Sequence, residues 1–216
     1  MRQRGWMTVA TVILMSLFTT CAIAAGGTGG ISFSAAVVPI GSGDAGDSIR
    51  WVGGAPKQDD AFDTGWGLRV EPYYDFTSLI RGQFGFAYNS WSGKNYGGVN
   101  FDDLKMITYY IGVKIRFLPN SKIRPYVVAD IGGASISGVK VSGPGVPGGQ
   151  TQYWDSTNTL FLDIGGGVEF NVAPKVSLFI DIRAQGTGEP KSAASPASDS
   201  DGITSFPISA GVNITF

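Results

Sequence analysis

Between Phe206 and Phe216 every second residue is apolar: Phe206, Ile208, Ala210, Val212, Ile214 and Phe216. The residues between them, Pro207, Ser209, Gly211, Asn213 and Thr215, are small or polar. A period of two is that of a β-strand with one apolar and one polar face. The same alternation predicts seven earlier strands. They run from about Ile31 to Ile40, Gly65 to Asp75, Ile80 to Trp91, Ile107 to Phe117, Ile123 to Ser137, Leu160 to Phe170 and Val176 to Arg183. Gly-, Pro-, Asn- and Ser-rich stretches separate them. The connections alternate in length: Gly41 to Asp63, Ser92 to Asp102, Gly138 to Asn158 and Gly186 to Ile203 are long, the last reading as a mobile loop, and the turns near Phe76, Leu118 and Val172 are short. The fold class expected is all-β, an eight-stranded antiparallel up-and-down barrel.

Charge follows the alternation. The polar faces of the strands gather Arg69, Glu71, Arg81, Lys114, Arg116, Arg124, Asp130, Asp163, Glu169, Asp181 and Arg183. The apolar faces carry Lys105, at a strand end where its stem can snorkel. A soluble lipocalin-like barrel would point its apolar face inward; a transmembrane barrel points it at lipid, where an Arg or Lys near the midplane costs about 2–4 kcal/mol. Trp66, Tyr74, Tyr88, Phe117, Phe170, Phe206 and Phe216 fall near strand ends on the apolar face, as two interfacial girdles require. Glycines recur on the other face, among them Gly85, Gly112 and Gly165. These features favour the transmembrane barrel.

Eight strands enclose a bore that side chains can fill. Ions of both signs in so narrow a space must pair. The short turns suggest Asp163 with Arg183 and Glu71 with Arg81, making a salt-bridged plug; the same groups could alternatively gate a small passive channel.

The start of the chain reads as an export signal. Arg2 and Arg4 precede an apolar run from Val9 to Phe18, and Ala22-Ile23-Ala24 fits a small-x-small cleavage pattern. The expected organisation is a cleavable signal peptide over 1–24 and a barrel domain over 25–216. A transmembrane anchor is the competing reading, but the run is short for one. Cys21, the single cysteine, lies in this leader and makes a poor lipoprotein site after Thr20.

Composition removes several kinds of chemistry. Without the leader's two arginines the 14 basic and 17 acidic side chains leave a net charge of −3, and no basic face invites nucleic acid. The chain has no histidine. With no Cys beyond the leader, a Ser/His or Cys/His constellation cannot be assembled, and no enzyme, cofactor or metal is expected. Loop acids Asp44, Asp47, Asp59, Asp60 and Asp63, with Asp199 and Asp201, read as solvated surface; the Asp199 stretch lacks the third acid and distal Glu of a calcium loop. Trp51, Trp91, Tyr96, Tyr153 and Trp154 stand in loops as exposed aromatics, suited to a surface partner or to capping the rim.

Arg124-Pro125-Tyr126-Val127, Gly165-Gly166-Gly167-Val168-Glu169-Phe170, Val176-Ser177-Leu178-Phe179 and the terminal Phe216 together resemble the small outer-membrane β-barrel family of the OmpA transmembrane domain, OmpX and opacity-type surface proteins. The resemblance implies residence in the bacterial outer membrane among lipid and lipopolysaccharide. It also implies Phe216 as an assembly signal for the barrel-assembly machinery, and a structural or surface-interaction role exercised through the long loops. A monomer is expected. A periplasmic carrier of an apolar ligand is the reading from another class.

Overall fold

The computed structural model describes residues 27–46, 56–193 and 200–216. The leader expected over 1–24, with Cys21, lies outside them, as do Asp47, Trp51 and Asp199. Eight long strands make the barrel: β1 (Thr28–Val38), β2 (Gly65–Asp75), β3 (Ile80–Trp91), β6 (Leu104–Arg116), β7 (Ile123–Ile136), β10 (Thr157–Ala173), β11 (Val176–Thr187) and β14 (Ile208–Thr215). Each pairs antiparallel with its neighbours in the chain, β1 pairs with β14, and β10 pairs with β11, so the sheet has no free edge.

The register fixes the shape of the tube. Starting at Gly30, the directly opposed residues are Tyr73, Gln83, Gly112, Asp130, Asp163, Gln185 and Ser205, and Ser205 bridges to Ile40, two residues past the end of β1. One circuit therefore climbs from residue 30 to residue 40, a shear of ten residues. For eight strands this corresponds to a strand tilt of about 40° and a backbone radius of roughly 8 Å. Backbone hydrogen bonds are satisfied between strands all the way round, the condition for a sheet to cross hydrocarbon.

Outward positions are apolar and uncovered: Leu68, Ile111, Val127, Leu162, Ile180 and Ile208 are each about half exposed. Trp66 packs at a tilt against Tyr88 near one rim, and Tyr74 meets Phe76 edge-on near the other. Lys105 is exposed at the loop-side end of β6.

Structure departs most from the sequence-based expectation in the long connections. Where they are described, they are not polar excursions; the loop expected to be mobile over Gly186 to Ile203 lies partly outside the described residues. β4 (Asn95–Tyr96), β5 (Val99–Phe101), β8 (Val139–Ser142), β9 (Gln150–Asp155) and β12 (Lys191–Ser192) form a second, five-stranded sheet in the order β12-β9-β8-β5-β4. A short helix, α1 (Gln58–Ala61), and a two-residue strand, β13 (Thr204–Ser205), complete this end. Phe62, Trp91, Val99, Phe101, Val141, Tyr153 and Trp154 are buried there in one apolar cluster, which continues down into the barrel through Met106, Tyr110, Ala134 and Phe161. The loop aromatics Trp91, Tyr153 and Trp154, expected to be exposed, are at 0–1% exposure. Loop composition concealed this because the apolar residues are spaced two apart in strands too short to show a period.

The lipid-facing assignment is tested at Ile111, midway along β6. We expect Ile111→Lys to lower stability in phospholipid vesicles by about 2–4 kcal/mol, the midplane cost of an ammonium facing lipid. Urea unfolding followed by tryptophan fluorescence measures it, and an effect below about 1 kcal/mol would contradict this face.

Candidate functional site

The middle of the bore is organised by Arg183, whose side chain is fully buried. Its Nη1 donates to Asp130 Oδ2 at 2.7 Å and to Asp163 Oδ2 at 3.5 Å. Nη2 donates to Glu71 Oε1 at 3.2 Å, and Nε to Asp181 Oδ2 at 3.0 Å. One guanidinium on β11 thus joins carboxylates from β2, β7, β10 and β11. The tilt of the strands brings them to one height: Asp130 and Asp163 are directly opposed across the β7–β10 ladder. Two like charges so placed repel, and Arg183 is the cation that holds them there. Arg69 adds a second positive charge, 3.7 Å from Asp163 and 3.9 Å from Glu71.

Neutral donors complete the layer. Tyr110 Oη donates to Glu71 at 2.9 Å, Gln83 Nε2 to Asp130 at 2.8 Å, Gln185 Nε2 to Asp163 at 3.0 Å and Tyr126 Oη to Asp181 at 3.1 Å. Two inner-face glycines make room. A Cβ on Gly112 would collide with the Asp130 carboxylate, and one on Gly85 with the Tyr110 ring. Such close approach of a large side chain to backbone is what a narrow tube requires of the residue opposite.

Towards the short turns a second group forms around Asp75, which accepts from Arg81 Nε at 2.7 Å and from Arg116 Nη1 at 3.2 Å, with Arg116 Nη2 2.8 Å from its other oxygen. The Arg81 guanidinium lies 3.4 Å from the centre of the Tyr73 ring. Glu169 accepts from Arg124 Nη2 at 2.6 Å and from Ser177 Oγ at 2.6 Å. Between the two groups sits Lys114, fully buried, with its Nζ 4.2 Å from the Tyr126 ring centre and 5.2 Å from that of Phe179. Its ammonium has no hydrogen-bond acceptor among the described residues. The rings' negative faces supply part of what a carboxylate would.

Arg69, Glu71, Arg81, Lys114, Arg116, Asp130, Asp163, Glu169, Asp181 and Arg183 are therefore all buried inside the tube. Their pairings differ from those suggested by the turns. Arg81 meets Asp75 and not Glu71, because Asp75 is its register partner and Glu71 lies higher in the bore. Arg183 does reach Asp163, but diagonally; its register partner is Gly165, and Asp163 faces Gln185. Asp75 was missed altogether. It has the parity of Arg69, Glu71 and Tyr73 on β2, and counting to the last residue of the strand would have found it. With Asp75 and Arg124 the bore balances six cations against six carboxylates.

Above this network the apolar cluster closes the loop end. Trp91 Nε1 donates to the Val38 carbonyl at 2.8 Å and Trp154 Nε1 to the Ala45 carbonyl at 3.1 Å, so neither indole is buried without a partner. Phe62 stacks on Trp154 at 5.7 Å and Tyr153 meets Phe101 edge-on at 5.3 Å. Of the loop acids, Asp63 lies 3.7 Å from Lys94, and Asp201 Oδ2 accepts from the Asp44 amide at 2.9 Å. Asp59 and Asp60 lie exposed on α1. Among the described residues no three acidic side chains converge as a metal site would require.

The family model of the outer membrane protein beta-barrel domain matches residues 10–216. No curated protein sequence matches. Solved structures do. Neisserial surface protein A is 19% identical, with a TM-score of 0.55 over 87% of this chain and 97% of that one. The attachment invasion locus protein Ail of Yersinia pestis, solved with the heparin analogue sucrose octasulfate, is 18% identical, with a TM-score of 0.51 over 88% and 99%. The outer membrane protein AlkL in lipid bilayers is 14% identical, with a TM-score of 0.52 over 88% and 90%. At these identities the likeness is one of fold.

Removing Arg183 would leave four carboxylates around an empty place. We expect Arg183→Leu to cost about 3–5 kcal/mol, the penalty for stripping a buried ion group of its partner, read as a fall in the urea midpoint of the refolded barrel. Trp154→Ala is expected to cost about as much within the cap alone. It should expose the loops to limited proteolysis while the barrel keeps its heat-modifiable migration on a gel.

Proposed function

Because the chain belongs to the outer membrane protein β-barrel domain family, and so to the bacterial outer membrane, we propose that it serves there as a sealed barrel with a structural or surface-interaction role. In this reading residues 1–24 direct export and are removed, and the last strand, ending at Phe216, engages the barrel-assembly machinery. A monomer then stands among lipid and lipopolysaccharide with its capped end outward and its short turns in the periplasm, the sidedness usual for such barrels. It has no chemistry of its own: among the described residues all the bore's charged groups but Lys114 stand in ion pairs, and the sequence has no imidazole to move a proton.

The observation that carries the reading is Arg183. A guanidinium at 0% exposure, bonded to carboxylates of four strands, lies across the middle of the tube. A passive pore needs a continuous path of water past that point. The cap adds a second closure above it. Among its described residues the exposed carboxylates Asp44, Asp59, Asp60, Asp63, Asp102, Asp103, Glu189 and Asp201 outnumber the exposed lysines Lys57, Lys105, Lys140 and Lys191. A surface partner would therefore be one that accepts negative charge, unlike the sulfated sugar seen with the Yersinia protein.

Conductance separates this from the channel reading. Purified, refolded protein in a planar bilayer should show no steady openings; large, long-lived openings from the unmodified protein would overturn the sealed barrel.

A further inference from the structure

The ion balance of the bore is not uniform along its axis. Below the Arg183 layer, at the mouth formed by the short turns, the tube widens into a cavity of about 420 Å³, adjoined by a second of about 330 Å³ that shares Asp75, Arg116 and Arg124 with it. The charged lining of the larger cavity is Arg81, Arg116, Lys122, Arg124, Lys175 and Asp75: five cations and one carboxylate. Glu169, behind Arg124, is the nearest further compensation. No carboxylate among the described residues pairs with Lys122 or Lys175, both of which are exposed at the rim.

The guanidiniums are held in place rather than free. Asp75 clamps Arg81 and Arg116, and Tyr73 lies against Arg81. Arg124 uses Nη2 for both Glu169 and Asn171, and its Nη1 bonds to no described residue. One carboxylate shared between two guanidiniums leaves positive charge over, and the lysines add to it. Like charges fixed around a half-enclosed, watery space repel, and an entering anion relieves that repulsion. Guanidinium forks match the edge of a tetrahedral oxyanion, and a preorganised set costs little ordering on binding.

We propose that this turn-side vestibule is a binding site for a phosphate-bearing anion, either free in the periplasm or on a lipid headgroup of the adjacent leaflet. Arg116, Arg124, Lys122 and Lys175 supply its positive charge, and Asp75 positions Arg81 and Arg116. The site lies at the opposite end of the barrel from the acidic cap. The bore above it stays closed whether or not it is filled, so its failure would leave the sealed barrel standing.

Inorganic pyrophosphate is the probe, titrated by calorimetry into full-length refolded protein in a non-ionic maltoside detergent. Saturable binding that weakens as sodium chloride rises is expected. Lys122→Gln with Lys175→Gln should weaken it at least about tenfold, as loss of charge-assisted contacts implies. Arg124→Gln should do likewise, and Lys140→Gln, on the cap, should change nothing. The paired lysine variant touches only exposed side chains and so tests the site even if Arg124→Gln misfolds. Repeating the titration in nanodiscs of phosphatidylcholine with and without phosphatidylglycerol separates the sources. Suppression by phosphatidylglycerol assigns the headgroup, and indifference to it assigns a soluble phosphate. Absence of saturable binding, or equal binding by the lysine variant, overturns the site.

Discussion

A sheet surrounded by hydrocarbon can leave no backbone amide unpaired, and this single demand shapes the molecule. The β10–β11 ladder meets it by closing the tube. Closure with eight strands and a shear of ten residues then fixes the bore, which is too narrow to be left to water and wide enough to take one layer of large side chains. Everything on the inner face has to be fitted to that layer. Its ions must find counter-ions within it, since bulk solvent cannot screen them there.

Three levels follow along the axis. At the loop end the inner face is apolar and aromatic, and it merges with the core under the small second sheet. In the middle, Arg183 and Arg69 hold together Glu71, Asp130, Asp163 and Asp181, two cations among four carboxylates. At the turn end the cations outnumber the carboxylates. Lys114 sits where the last two levels meet and rests on Tyr126 and Phe179 instead of an acid. The surface follows in part, with acids outnumbering lysines on the cap and Lys122 and Lys175 exposed on the turns. A barrel so arranged has an apolar loop end, a carboxylate-rich middle and a cation-rich turn end.

The strands could be read from the chain because each one shows both faces to very different surroundings. β2 and β3 run over the residues that the alternation marks, and the charges segregate to one parity throughout. The cap could not be read in this way. β4, β5, β8, β9 and β12 are two to six residues long, and Trp91, Tyr153 and Trp154 among glycines and serines look like exposed loop aromatics until the sheet that covers them is seen. Asp75 was legible and overlooked, since parity alone assigns it to the inner face.

What the sequence determined by itself is which side of each strand meets lipid and which meets the bore, because that choice is written in a period of two and costs kilocalories per charge to reverse. Which ions meet inside was decided only by the closed tube. The tilt displaces each strand along its neighbour, so the carboxylates that share Arg183 lie far apart in the chain and come level only once the ring is complete. The same is true of the cap, whose core is assembled from four separate connections and exists only where the barrel holds their ends together.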